Sequence, residues 1–121
     1  MSSEWSIDGR LIAQWLSDCD QSTREEVVAA LELLSRIGPH LGRPLVDRIQ
    51  GSRLHNLKEL RPGSSGRATV RFLFAFAPNR VAVLLVAGDK AGQWSRWYRQ
   101  AIPEAERRFE HYLLRGGVKN E

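Results

Sequence analysis

Residues 57–90 read LKELRPGSSGRATVRFLFAFAPNRVAVLLVAGDK, and the fold is decided by how this stretch divides into strands. Val70, Phe72, Phe74 and Phe76 alternate strictly, which places Thr69, Arg71 and Leu73 on the opposite side of a strand. Ala77-Pro78-Asn79-Arg80 then makes a tight turn, and Val81 to Ala87 is so uniformly apolar that it predicts a strand covered on both faces. Upstream, Arg53 to Arg61 predicts a more polar strand whose phase the residues do not settle. Leu54, Asn56, Lys58 and Leu60 fall on one side, His55, Leu57, Glu59 and Arg61 on the other, and a bulge would mix them. The Gly63-Ser64-Ser65-Gly66 turn between these strands predicts a mobile hairpin tip and lacks the lysine of a phosphate loop.

Working towards the N-terminus, Leu41 to Gly51 is punctuated by Gly and Pro and predicts an ordered loop longer than most connections. Before it, Val27, Ala30, Leu31 and Leu34 recur at helical spacing, with Ser22 and Glu25 as a capping box and Gly38-Pro39 as the stop. A shorter helix with Leu11, Ile12, Trp15 and Leu16 follows Asp8, which is expected to cap it, and residues 3–7 predict an edge strand. Towards the C-terminus, the segment with Trp94, Trp97 and Tyr98 predicts a helix up to Pro103. Pro103 would open a last helix with Ala105, Phe109, Tyr112 and Leu113 inward. The order is β-α-α-β-β-β-α: an α+β fold with a small antiparallel sheet, an N-terminal helical hairpin and a C-terminal helix. One domain is expected over 1–115, with 116–121 a flexible tail.

The chain has 121 residues and a net charge of +4, unevenly spread. Residues 1–35 hold two Lys/Arg against seven Asp/Glu, and residues 36–121 hold sixteen against seven. The basic part suits phosphate contact through counterion release. Cys19 is the only cysteine, which excludes an intramolecular disulfide and a cysteine-based metal cluster. His40, His55 and His111 are too scattered to suggest a metal site, and no cofactor is expected. No run approaches the ~20 apolar residues of a membrane span and no signal-peptide layout opens the chain, so a cytoplasmic protein is expected.

Chemistry concentrates in and around the strands. Lys58, Glu59, Arg61, Arg67, Arg71 and Lys90 are expected to converge on one face of the sheet as a hollow open to an anion. Rigid cations beside a carboxylate suit a phosphodiester, which makes RNA the first substrate to consider. Trp94 and Trp97 have the character to stack nucleotides, although aromatics at helical spacing more often serve a core.

Leu41-Gly42-Arg43-Pro44, Gly51-Ser52-Arg53, Asn56-Leu57-Lys58-Glu59-Leu60-Arg61, Arg71-Phe72-Leu73-Phe74 and Gly88-Asp89-Lys90, in this order, resemble the RelE/HigB superfamily of bacterial toxins, and within it the HigB-like, phage-derived branch. The resemblance spans roughly residues 3 to 113. It implies a RelE-like fold and the toxin of a type II toxin–antitoxin system. Such a toxin is a metal-independent endoribonuclease that cuts messenger RNA in the ribosomal A site and is neutralised by a helix-turn-helix antitoxin, through which alone it meets operator DNA.

On the positions that match, the resemblance implies Arg61 and Arg71 as the phosphate-holding residues, Lys90 as a further phosphate contact and Tyr98 as acid or stacking residue. His55, Arg67, Trp94 and Trp97 are the expected substrate contacts. Where the best-known relatives place a second lysine, this chain carries Glu59. The base stays open among Glu59, His55 and Lys58, and His111 is a second candidate for the acid. Two other readings stand beside the nuclease: a gyrase-poisoning toxin on the same scaffold, and an RNA- or ribosome-binding protein without catalysis.

Overall fold

The computed structural model describes residues 4–63, 70–89 and 94–115. Its centre is a five-stranded sheet of order β1-β5-β4-β3-β2, built from β1 (Ser6–Asp8), β2 (Val46–Arg48), β3 (Lys58–Leu60), β4 (Val70–Ala77) and β5 (Val81–Asp89). One face is covered by α1 (Ala13–Ser17) and α2 (Gln21–Ile37), the other by α3 (Trp94–Leu114). This is an α+β architecture consistent with the RelE-like fold. The hairpin tip at 64–66, Arg67, Lys90 and the 116–121 tail lie outside the described residues.

The alternation read in β4 sorts the two sides of the sheet. Val70, Phe72 and Phe74 pack with Leu60, Ala82 and Leu84 against Val27, Ala30 and Leu34 of α2. Leu73 and Ala75 pack with Leu57, Val83 and Leu85 against Ala101, Ala105 and Phe109 of α3. In the β4–β5 ladder Leu73 pairs with Val86 but Phe74 pairs with Leu84, so Leu85 is an extra residue in β5. This bulge aims Leu85 and Val86 together at the α3 side. The Leu85 carbonyl, displaced from the regular ladder, accepts a hydrogen bond from Arg108 Nη1 at 2.6 Å. Beyond the bulge, Gly88 stands beside Arg71.

Several boundaries differ from the sequence expectation. The sheet is mixed, not wholly antiparallel, because β1 runs parallel to β5. Within the stretch read as a loop, Val46–Arg48 forms β2 on the outer side of β3. Of the strand expected over 53–61, only Lys58–Leu60 pairs, and residues 53–57 turn. A three-residue strand carries too little alternation to reveal its phase.

The N-cap of α2 is Asp20, whose carboxylate accepts from Thr23 N–H at 2.8 Å, rather than Ser22, which sits inside the helix. Asp8 ends β1, and from there its carboxylate accepts from the Arg10 N–H at 3.2 Å, at the start of the 3-10 turn Arg10–Ile12, although Gly9 stands at the N-cap position. Gly38 does close α2 at φ 68°, and a Cβ there would meet the Trp5 indole at 2.4 Å. Pro103 lies inside one continuous α3 instead of opening a second helix. An interior proline costs about 3 kcal/mol, and the burial of Ala101, Ala105 and Phe109 on either side of it holds the helix together. Among the described residues, no helix is long and apolar enough to cross a membrane.

Candidate functional site

The carboxylate of Glu59, in the middle of β3, is 2% exposed and lies on the α3 side of the sheet. Its register partners are Asp47 in β2 and Leu73 in β4. Continuing the β3–β4 register by one residue sets Arg61 opposite Arg71, two like charges that repel unless an anion lies between them. Glu59 supplies it. Its Oε2 accepts from Arg61 Nε at 2.5 Å and lies 3.8 Å from Arg71 Nε, and its Oε1 accepts from the Tyr98 hydroxyl.

The remaining edges of both guanidiniums are also engaged. Arg61 Nη2 is 3.7 Å from Asp47 Oδ2, which Arg43 Nε approaches to 3.2 Å from the rim. Arg71 Nη1 donates to the Val70 carbonyl at 3.1 Å, and its guanidinium lies 4.6 Å from the centre of the Trp94 ring. Trp94, Trp97 and Tyr98 pack edge-to-face or tilted at 5.1–6.1 Å between centroids, forming an aromatic lid from the first turns of α3. Trp97 fits because Gly88 has no side chain: a Cβ at Gly88 would fall 2.2 Å from the indole Nε1.

The electrostatics follow from this packing. Burial, then the hydrogen bond and charge of Glu59, push the Tyr98 phenol up to about 12 against the opposing pull of Arg71. Tyr98 is therefore a neutral donor at any physiological pH. Burial works against the charge on Arg61, but Glu59, Tyr98 and Asp47 outweigh it and raise its pKa. Three guanidiniums, of Arg43, Arg61 and Arg71, thus face two carboxylates, of Asp47 and Glu59, leaving one net positive charge.

The structure brings together Glu59, Arg61, Arg71, Tyr98, Trp94 and Trp97 from the expected set. The hollow expected to stand open to an anion already holds the carboxylate of Glu59. Lys58 belongs to the other face. Its ammonium is 5.4 Å from the centre of the Phe76 ring and 3.4 Å from the Pro39 carbonyl, and burial, then the neighbouring Arg48, lower its pKa. His55 is exposed in the turn before β3, and among the described residues no hydrogen bond, ion pair or ring contact joins it to Glu59. His111 is thirteen residues beyond Tyr98 on α3, roughly 20 Å along the axis at 1.5 Å per residue, and its ring lies 3.0 Å from Arg115 Nη1.

Sequence reasoning missed Asp47 and Arg43, both hidden in the supposed loop. It also missed a buried acid on α3. Glu106 is 6% exposed and accepts from Ser52 Oγ and the Arg53 N–H, both at 2.8 Å, pinning the turn before β3 to α3. Among the described residues, no group of three or more His, Cys, Asp or Glu is placed to hold a metal ion.

The chain thus presents a mixed sheet with a helical pair on one face and, on the other, a long C-terminal helix lidding an arginine–carboxylate cluster. Residues 14–110 match the family described as "Phage derived protein Gp49-like", and the chain belongs to that family. Two proteins of Mycobacterium tuberculosis are similar to it. One, named "Putative toxin HigB2", is 51% identical over 109 residues, covering 90% of this chain and 54% of the relative. The other, named "Putative toxin HigB3", is 45% identical over 102 residues, covering 84% of this chain and 87% of the relative. The chain thus spans about half the length of the first.

Proposed function

We propose that this chain is the toxin of a type II toxin–antitoxin module and that it cleaves messenger RNA on the ribosome without a metal. A cognate helix-turn-helix antitoxin neutralises it. Membership of the Gp49-like family and the toxin names of two relatives support the toxin assignment. The observation that carries the chemistry is the pairing of Arg61 and Arg71 beneath the Trp94–Trp97–Tyr98 lid, where guanidiniums and ring faces suit a phosphate and its flanking bases.

In the reaction the 2′-oxygen passes its proton to water and attacks phosphorus, the bond to the 5′-oxygen breaks, and the leaving oxygen takes a proton from Tyr98 or from water, giving a 2′,3′-cyclic phosphate. The two arginines stabilise the crowded phosphate, and Tyr98, neutral and poised to donate, serves the phosphate or the leaving oxygen. Glu59 is poorly suited as the base, since both its oxygens are engaged and it is buried.

Induction of the chain should arrest growth, and Arg71→Ala should restore growth while leaving the protein folded. An equally toxic Arg71→Ala protein would refute the site. One observation favours a second reading, an RNA- or ribosome-binding protein without catalysis: the carboxylate of Glu59 stands between the arginines that a phosphate would need. Mapping RNA 5′ ends after induction separates them, because new ends require cleavage, whereas pelleting with ribosomes and intact transcripts would mark the binder. DNA-damage signalling with intact transcripts would mark a gyrase poison instead.

A further inference from the structure

We propose that Glu59 is a positioning residue: its buried carboxylate is the internal counter-anion that holds Arg61, Arg71 and Tyr98 in one site and sets which edges of the two guanidiniums face outward. Three observations carry this. The carboxylate contacts Arg61 just after its own strand, Arg71 on β4 and Tyr98 on α3, so it joins pieces of the site that are far apart in the chain. It meets both arginines on their Nε side, which leaves the Nη side to face Asp47 and the Val70 carbonyl at the edge of the cluster. And it lies diagonally between like charges that the β3–β4 register sets opposite each other, an arrangement that needs an anion to persist.

The charged and titratable groups around it are Asp47 on β2, Arg61 just after β3, Arg71 on β4 and Tyr98 on α3, with Arg43 acting through Asp47. A group so enclosed acts through its neighbours, and its removal should alter their orientation and acidity before anything else. The consequence for turnover rests on the RNA-cleaving reading above; the geometric role does not.

The test uses the full chain carrying Glu59→Gln, which keeps the side-chain shape and removes the charge, beside Glu59→Asp, which keeps the charge and withdraws it by one methylene. Three readouts are compared: exchange of the Arg61 Nε–H by nitrogen-15 NMR, ionisation of Tyr98 by absorbance near 295 nm with Tyr98→Phe as the blank, and RNA cleavage on ribosomes resolved into kcat and KM. In Glu59→Gln the Arg61 Nε–H should move from slow to fast exchange and Tyr98 should ionise at least one pH unit lower. Turnover should fall about tenfold or more with KM within about threefold, and Glu59→Asp should recover part of it. Unchanged Arg61 and Tyr98 signals overturn the proposal, and unchanged signals with lost turnover would make Glu59 the base instead. If the wild-type chain cleaves no RNA, the nuclease reading fails while the two spectroscopic readouts still decide the positioning role. If Glu59→Gln does not fold, Glu59→Asp is judged by the same spectroscopic outcomes.

Discussion

The two faces of β4 are made by the same eight residues and do opposite work. Towards α2 the strand shows Phe72 and Phe74, both fully buried in a layer of hydrocarbon and aromatic rings. Towards α3 it shows Leu73 and Ala75 over an apolar centre, but at its start it shows Arg71, and there the layer turns polar under Trp94, Trp97 and Tyr98. The first face is free to be apolar because nothing needs to reach it. The second gives up burial at one end for a cluster of charges, and the sheet tolerates this because the opposite face buries Val70, Phe72 and Phe74 against α2.

This contrast can be broken most directly in the apolar layer. Phe72→Ala should destabilise the protein by about 3–5 kcal/mol in a denaturant titration; a loss below about 1 kcal/mol would mean that the α2 face is not the seat of stability. Gly88→Ala attacks the polar end sterically. With Trp97 Nε1 2.2 Å from the new Cβ, the indole must move, so a cost of about 1–3 kcal/mol should accompany a shift in tryptophan fluorescence. An unshifted spectrum would detach the lid from β5.

Glu106→Gln tests the second polar anchor of the α3 side. Burial works to raise the Glu106 carboxyl, but Ser52 and Arg53 outweigh it and hold it below its ordinary value of 4.5. Its contribution is therefore complete above pH 4.5 and is lost as the pH falls through the lower folded-state value. The variant should melt some degrees lower than wild type at pH 7, and the two curves should converge in acid; a constant gap would assign the role to packing. The smallest effect is expected from Asp20→Ala, which frees the Thr23 N–H at the start of α2 and should lower the melting temperature by a few degrees at most. A much larger fall would show that α2 depends on its cap more than on Val27, Ala30 and Leu34.

What could be read in the sequence divides along the same line. The strict alternation from Val70 to Phe76 assigned both faces of β4, and the Val27-Ala30-Leu34 spacing assigned the helix that covers one of them, because long regular elements repeat their pattern. Short elements do not. The three residues of β2 carry no period, so Asp47 was hidden among loop residues, and β1 gave no sign that it would run parallel to β5. Arg61, Arg71 and Tyr98 were visible as candidates from the family resemblance. That Tyr98 joins the two arginines at the carboxylate of Glu59 was not, since it depends on α3 continuing through Pro103. The grouping of Lys58 with Glu59 failed on parity alone, for neighbours in a strand point to opposite faces.

The late position of α3 has a consequence for synthesis. A nascent chain halted at residue 93 would contain every strand of the sheet, and with them Glu59, Arg61 and Arg71, yet neither tryptophan of the lid nor the Tyr98 hydroxyl. Synthesis therefore supplies Trp94, Trp97 and Tyr98 only after every strand of the sheet has been made.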